Sequence, residues 1–123
     1  MKFKVASGLQ IVTSTWGSNN DPLVILLHGG GQTRHAWGST GEKLSQSGFY
    51  VVALDLRGHG DSDWDSNGDY SIDAYKYDLA SIIQQLDKPA SLVGASLGGM
   101  ASLSLAGDSK TRALCSGLGD TPE

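Results

Sequence analysis

One stretch constrains this chain more than any other. Ala90-Ser91-Leu92-Val93-Gly94-Ala95-Ser96-Leu97-Gly98-Gly99-Met100 is a short apolar run that ends in Gly-x-Ser-x-Gly and continues into a helix-forming segment. A turn from strand to helix holds a serine hydroxyl clear of the backbone, where a base and oxyanion donors can reach it; this spacing is the pattern of such a nucleophile elbow. The turn forces Ser96 into a strained conformation among crowded neighbours, so Gly94 and Gly98, which lack Cβ, are expected to let strand and helix pass closely. The N–H of Leu97, at the helix start, is a candidate oxyanion donor. In a chain with 17 glycines the motif alone discriminates little, and its weight comes from the strand before it and the helix after it.

Upstream, Lys2 to Ala6 and Leu9 to Thr15 are β-prone runs flanking Ser7-Gly8, which predicts an antiparallel hairpin. Leu23 to Leu27 is a continuous apolar run, as expected of a parallel strand covered on both faces, and it ends in His28-Gly29-Gly30-Gly31. Three glycines after a buried strand leave backbone N–H groups free to point at an anion, a second source of oxyanion donors. Trp37 to Ser47 reads as a weak helix broken by Gly38 and Gly41, with Gly48 as its stop. Phe49 to Leu54 is another apolar strand, followed by Asp55-Leu56-Arg57-Gly58-His59-Gly60-Asp61-Ser62. From Ser71, a good N-cap, Ile72, Tyr75, Leu79, Ile82, Ile83 and Leu86 fall on one helical face. Hairpin, strand, helix, strand, helix, strand, elbow, helix is an α/β order with a mainly parallel sheet, and His28, Asp55 and Ser96 all fall at strand carboxyl ends, where such sheets bind ligands.

Composition narrows the function classes. At 123 residues, 39% hydrophobic and 18% charged, the chain reads as one globular unit. Its net charge of −4 comes without an acidic or basic run, so no footprint for nucleic acid or an anionic membrane is expected. No apolar run approaches the roughly 18 residues of a spanning helix, and the expected location is the cytoplasm. The single cysteine, Cys115, excludes an internal disulfide framework and a multi-cysteine metal site. The histidines lack paired ligand spacing, so neither a metal nor a cofactor is expected. A dinucleotide fingerprint wants glycine where Ser96 stands, and no phosphate loop of the Gly-x-x-x-x-Gly-Lys type is present.

Three motifs together resemble the α/β-hydrolase superfamily, in particular the branch of epoxide hydrolases, haloperoxidase-like esterases and carbon–carbon bond hydrolases. They are Leu27-His28-Gly29-Gly30-Gly31, Asp55 to Ser62, and Gly94-Ala95-Ser96-Leu97-Gly98-Gly99, and the likeness runs from the hairpin to about Gly107. The resemblance implies Ser96 as nucleophile, with the N–H groups of Leu97 and Gly30, less so Gly31, as oxyanion hole. It implies a scaffold role for His28, Gly29, Gly31, Asp55, Arg57, Gly94 and Gly98. Serine at position 96 argues against epoxide hydrolase or dehalogenase chemistry, which in this fold looks for aspartate there. The implied reaction is hydrolysis of an ester, lactone or related carbonyl in a small-molecule substrate.

The departure lies at the other end. In the superfamily the triad runs Ser, acid, His along the chain, whereas His28, His35 and His59 all precede Ser96. The sequence therefore reads as a truncated α/β-hydrolase fold, a single partial domain over 1–123 with a family-like part at 1–107 and an atypical tail at 108–123. In that tail Gly117 and Gly119 weaken the expected next strand, and Asp120-Thr121-Pro122 resembles the end of the family's following strand, as after a frameshift or short deletion. Two readings remain open: a serine hydrolase completed from elsewhere, or a catalytically incomplete remnant that at most binds small molecules. A His28–Ser96 dyad is the one base the chain itself offers, and self-association through an exposed sheet edge is expected.

Overall fold

The computed structural model describes residues 1–107 and the strand at 112–116. The apolar runs become the central strands β3 (Leu23–Leu27), β4 (Tyr50–Leu54) and β5 (Ala90–Ala95). Every residue of β3 and β4 is buried, as parallel strands sandwiched between helices require. The opening hairpin forms from β1 (Lys2–Lys4) and β2 (Gln10–Trp16), with Gly8 at φ +95° in the connecting turn. Antiparallel pairing of β2 with β4 joins this hairpin to the parallel strands. With β6 (Arg112–Ser116) the sheet has six strands in the order β1-β2-β4-β3-β5-β6.

β6 modifies one expectation. The strand is built from residues that precede Gly117 and Gly119, and it pairs in parallel along β5 from Ser91 to Ala95. β5 is therefore an interior strand rather than the sheet's edge. The remainder of the atypical tail, 108–111 and 117–123, lies outside the described residues.

The two faces of the sheet are covered by different helices. α2 (Ile72–Leu86) starts where the Ser71 hydroxyl accepts the Ala74 N–H at 3.1 Å and ends at Asp87, in the left-handed region at φ +56°. Its buried stripe, Tyr75, Leu79 and Ile82, joins Ala101 and Leu105 of α3 (Leu97–Ala106) in a core with Ile25, Leu27, Val52, Leu54 and Leu92. On the opposite face α1 (Gly38–Gln46) lies by Val24, Leu26, Val51 and Ala53, with Trp16 and Trp37 packed alongside. Gly41 does not break this helix. A Cβ there would sit 2.6 Å from the Trp16 ring, so the glycine lets α1 lie flat on the indole.

Register then positions the functional end. Leu27 lies opposite both Leu54 and Gly94, so β3, β4 and β5 finish level. The residues that follow, His28, Asp55 and the Ala95-Ser96 pair, emerge together at one rim. The loop after β4 is fixed from behind by Arg57, whose Nε and Nη2 each donate to the Asp78 carboxylate at 2.6 Å. Both side chains are about 5% exposed, and Arg57 also donates to the Asp69 carbonyl at 3.0 Å. Removing one partner of a buried pair leaves the other charge unpaired. Asp78→Ala should lower the unfolding free energy by about 3–5 kcal/mol, measured by urea denaturation; a loss below about 1 kcal/mol, the range of an exposed pair, would show that the bridge does not anchor the loop.

Candidate active site

Ser96 links β5 to α3 at φ +53°, ψ −110°, a region that non-glycine residues enter only under constraint. The constraint is visible around it. A Cβ on Gly94 would come within 2.5 Å of the Gly98 carbonyl oxygen and the Gly99 nitrogen. A Cβ on Gly98 would come within 2.6 Å of Leu27 Cβ. With both absent, α3 begins against the end of β3. Ser96 is exposed and its hydroxyl does not cap the helix, while Leu97, the first helical residue, has an N–H with no intrahelical acceptor.

The glycine loop after β3 lies beside this turn: a Cβ on Gly29 would be 3.6 Å from Ser96 Cβ. The Gln32 N–H donates to the Gly29 carbonyl at 3.1 Å, and Gly31 has φ +79°, the pattern of a type II turn with glycine at its third position. The three glycine N–H groups are not equivalent. That of Gly29 donates to Gln32 Oε1 at 3.0 Å and that of Gly31 to His59 Nε2 at 3.1 Å. The Gly30 N–H makes no hydrogen bond among the described residues, and Gly30 is exposed with open space where a Cβ would be.

Bond direction assigns the two buried-side histidines. His28 Nδ1 faces the Gly29 carbonyl at 2.8 Å, an acceptor, and its Nε2 receives the Leu56 N–H at 3.0 Å. His59 Nδ1 faces the Arg57 carbonyl at 3.0 Å while Nε2 receives the Gly31 N–H. Each is therefore a neutral imidazole with its proton on Nδ1 and its only lone pair already in use. This overturns the His28–Ser96 dyad: His28 is fully buried and has no free nitrogen for Ser96. His35 is exposed on the short 3-10 turn Arg34–Trp37.

Asp55 is a buried carboxylate at the end of β4 that accepts the N–H groups of Arg34 (2.7 Å) and Asp61 (2.9 Å) and pairs with the Arg34 guanidinium. Burial opposes its charge, but these donors outweigh burial and hold its carboxyl below the usual range. Gly60, at φ +51°, packs so closely on the carboxylate that a Cβ there would overlap it. Asp55, His28 and Arg57 thus shape loops. Arg34, Gln32 and Asp78 belong to no motif in the sequence. Asp78 alone left a signal, as a charged residue on the buried stripe of α2. A cavity of about 530 Å³ lined by Ser7, Arg57, Asp65, Asp69, Tyr77 and neighbours includes no residue of the Ser96 turn or the glycine loop.

Burial pushes His28 below its ordinary value of 6.5, with its bond to the Gly29 carbonyl acting the other way. The unfolded chain then takes up this proton more readily than the folded one, so stability is lost as pH falls below about 6.5. Urea unfolding at pH 7.5 and pH 5.5 should give a lower midpoint at pH 5.5, and His28→Gln should flatten that difference; an unchanged difference in the variant would assign the acid sensitivity elsewhere.

A model of the alpha/beta hydrolase fold family matches residues 22–116. Esterase Rv0045c of Mycobacterium tuberculosis is 40% identical over 92 residues, which are 74% of this chain and 30% of that protein. Protein phosphatase methylesterase 1 of Mus musculus is 35% identical over 83 residues, 63% of this chain and 22% of that one. Among solved structures, the epoxide hydrolase VrEH1 from Vigna radiata superposes with a TM-score of 0.86 at 26% identity, covering 94% of this chain and 38% of that one. A thioesterase domain from the curacin biosynthetic pathway gives 0.85 at 31%, covering 94% and 44%. The chain spans less than a third of the length of these two curated relatives. Strand order, elbow geometry and these likenesses agree, and the chain belongs to the alpha/beta hydrolase fold family.

Proposed function

We propose that this chain carries the nucleophile and oxyanion half of a serine hydrolase that cleaves an ester or related carbonyl compound. The observation that carries the reading is Ser96 at φ +53°, exposed on the β5–α3 turn and beside the glycine loop. In the proposed reaction Ser96 Oγ attacks the carbonyl carbon as its proton passes to a base. The N–H groups of Leu97 and Gly30 receive the developing oxyanion, each worth roughly 10²–10³ in rate. The leaving alcohol departs with a proton, and water then releases the acid from Ser96.

Serine in place of aspartate at position 96 favours this chemistry over that of the epoxide hydrolases whose fold is so similar. The relatives named as esterases support the same choice. With the ring nitrogens of His28 and His59 both engaged, the base in this reading comes from outside those two residues. Among the described residues no geometry favours the alternative of a binding remnant.

The test is reaction with a fluorophosphonate followed by intact mass, with imidazole added to stand in for the base. The chain should gain one adduct faster as imidazole rises, and Ser96→Ala should lose at least ~10³ of the rate. Gly30→Pro should keep the fold, because proline suits the second position of a type II turn. It deletes the one N–H of the glycine loop that has no partner among the described residues, and labelling should slow ~10²–10³-fold. Labelling that survives Ser96→Ala, or folded protein that never labels at saturating imidazole, would refute the reading.

A further inference from the structure

Three consecutive glycines make a loop whose backbone samples many conformations, yet an oxyanion hole is effective only when its donors are already in place. Two side chains resolve this conflict. Gln32 reaches back so that its Oε1 accepts the Gly29 N–H at 3.0 Å, and His59, 28 residues further along the chain, accepts the Gly31 N–H at 3.1 Å. His59 is itself held. Its Nδ1 proton is given to the Arg57 carbonyl, its ring lies 4.9 Å from that of His28, and the Arg57 side chain is clamped by Asp78 of α2. The chain of contacts runs from a helix on one face of the sheet to the glycine loop at the rim.

We propose that His59 and Gln32 are positioning residues that allot the donors of the glycine loop, occupying the N–H groups of Gly31 and Gly29 and leaving that of Gly30 for the substrate oxyanion. The proposal rests on the reading of Ser96 as nucleophile and adds to it which backbone donor serves and what selects it. The selection depends on direction. A neutral imidazole with its proton on Nδ1 offers Gly31 a lone pair, and a side chain of similar size without an acceptor offers nothing. Released from His59, the Gly31 N–H competes with that of Gly30, while the bonds between Gly29 and Gln32 remain.

The experiment uses the full chain labelled with ¹⁵N. A through-bond ¹⁵N–¹⁵N coupling between the Gly31 amide and His59 Nε2 is expected, with amide exchange slow at Gly29 and Gly31 and fast at Gly30. His59→Phe should remove the protection of Gly31 and spare that of Gly29, Gln32→Leu should do the reverse, and His59→Gln, which retains an acceptor, should restore protection at Gly31. Fluorophosphonate addition to Ser96 should slow ~10–100-fold in His59→Phe, the scale of a misplacement of about 1 Å, and recover in His59→Gln. Absence of the coupling, equal protection at all three glycines, or a wild-type rate in His59→Phe would each overturn the proposal. Wild-type protein that never labels refutes the nucleophile reading instead, while coupling and exchange still decide how the donors are allotted. Should His59→Phe fail to fold, the wild-type coupling and Gln32→Leu carry the decision.

Discussion

The approach of α3 to the end of β3 is the constraint on which the rest of this rim depends. Gly98 lies so near Leu27 that no other residue fits, and Gly94 lies equally near Gly98 and Gly99. Side chains at either position would push the helix off the sheet. The strained φ of Ser96 follows from this crowding: the chain must reverse from strand to helix within one residue, and Ser96 absorbs the turn. The same proximity sets Ser96 beside Gly29, so one packing contact joins the Ser96 turn to the glycine loop.

Buried charge secures the surrounding loops. Asp55 and Arg57 follow the same strand and each meets an opposite charge, Arg34 for one and Asp78 for the other. Burying such pairs gains little net stability, but leaving one member unpaired is expensive, so they act as locks that admit one loop arrangement. Ser62 extends the locking by donating to the Asp55 carbonyl at 2.6 Å while accepting the Val12 N–H at 2.8 Å, which ties the loop back to the hairpin. The loop between β4 and α2 is polar and turn-rich, yet these bonds tie its first half, Asp55 to Ser62, to the hairpin and to α2.

Much of this was legible in the residues themselves. The sequence places β3 at its observed bounds because an apolar run cut off by glycines has one simple outcome, and α2 because its spacing and Ser71 cap agree. Gly41 looks like a breaker in sequence because helix propensity is a local quantity, and the Trp16 ring that makes glycine necessary is 25 residues away. The next strand was expected to suffer from Gly117 and Gly119 but is completed before them. At the site, the Gly-x-Ser-x-Gly spacing located the turn. The distinction among the three glycine donors was out of reach, because it is made by the orientation of His59 and Gln32, and nothing in their identity announces which N–H they accept.

In the proposed site Ser96, Leu97 and Gly30 act on one substrate carbonyl. A crystal structure of the Ser96 phosphonate adduct tests it most directly. The phosphonyl oxygen is expected within about 2.7–3.1 Å of both the Gly30 and Leu97 nitrogens, with the Gly31 N–H still on His59. A phosphonyl oxygen held by Gly31 instead, or pointing to solvent away from both N–H groups, would contradict it.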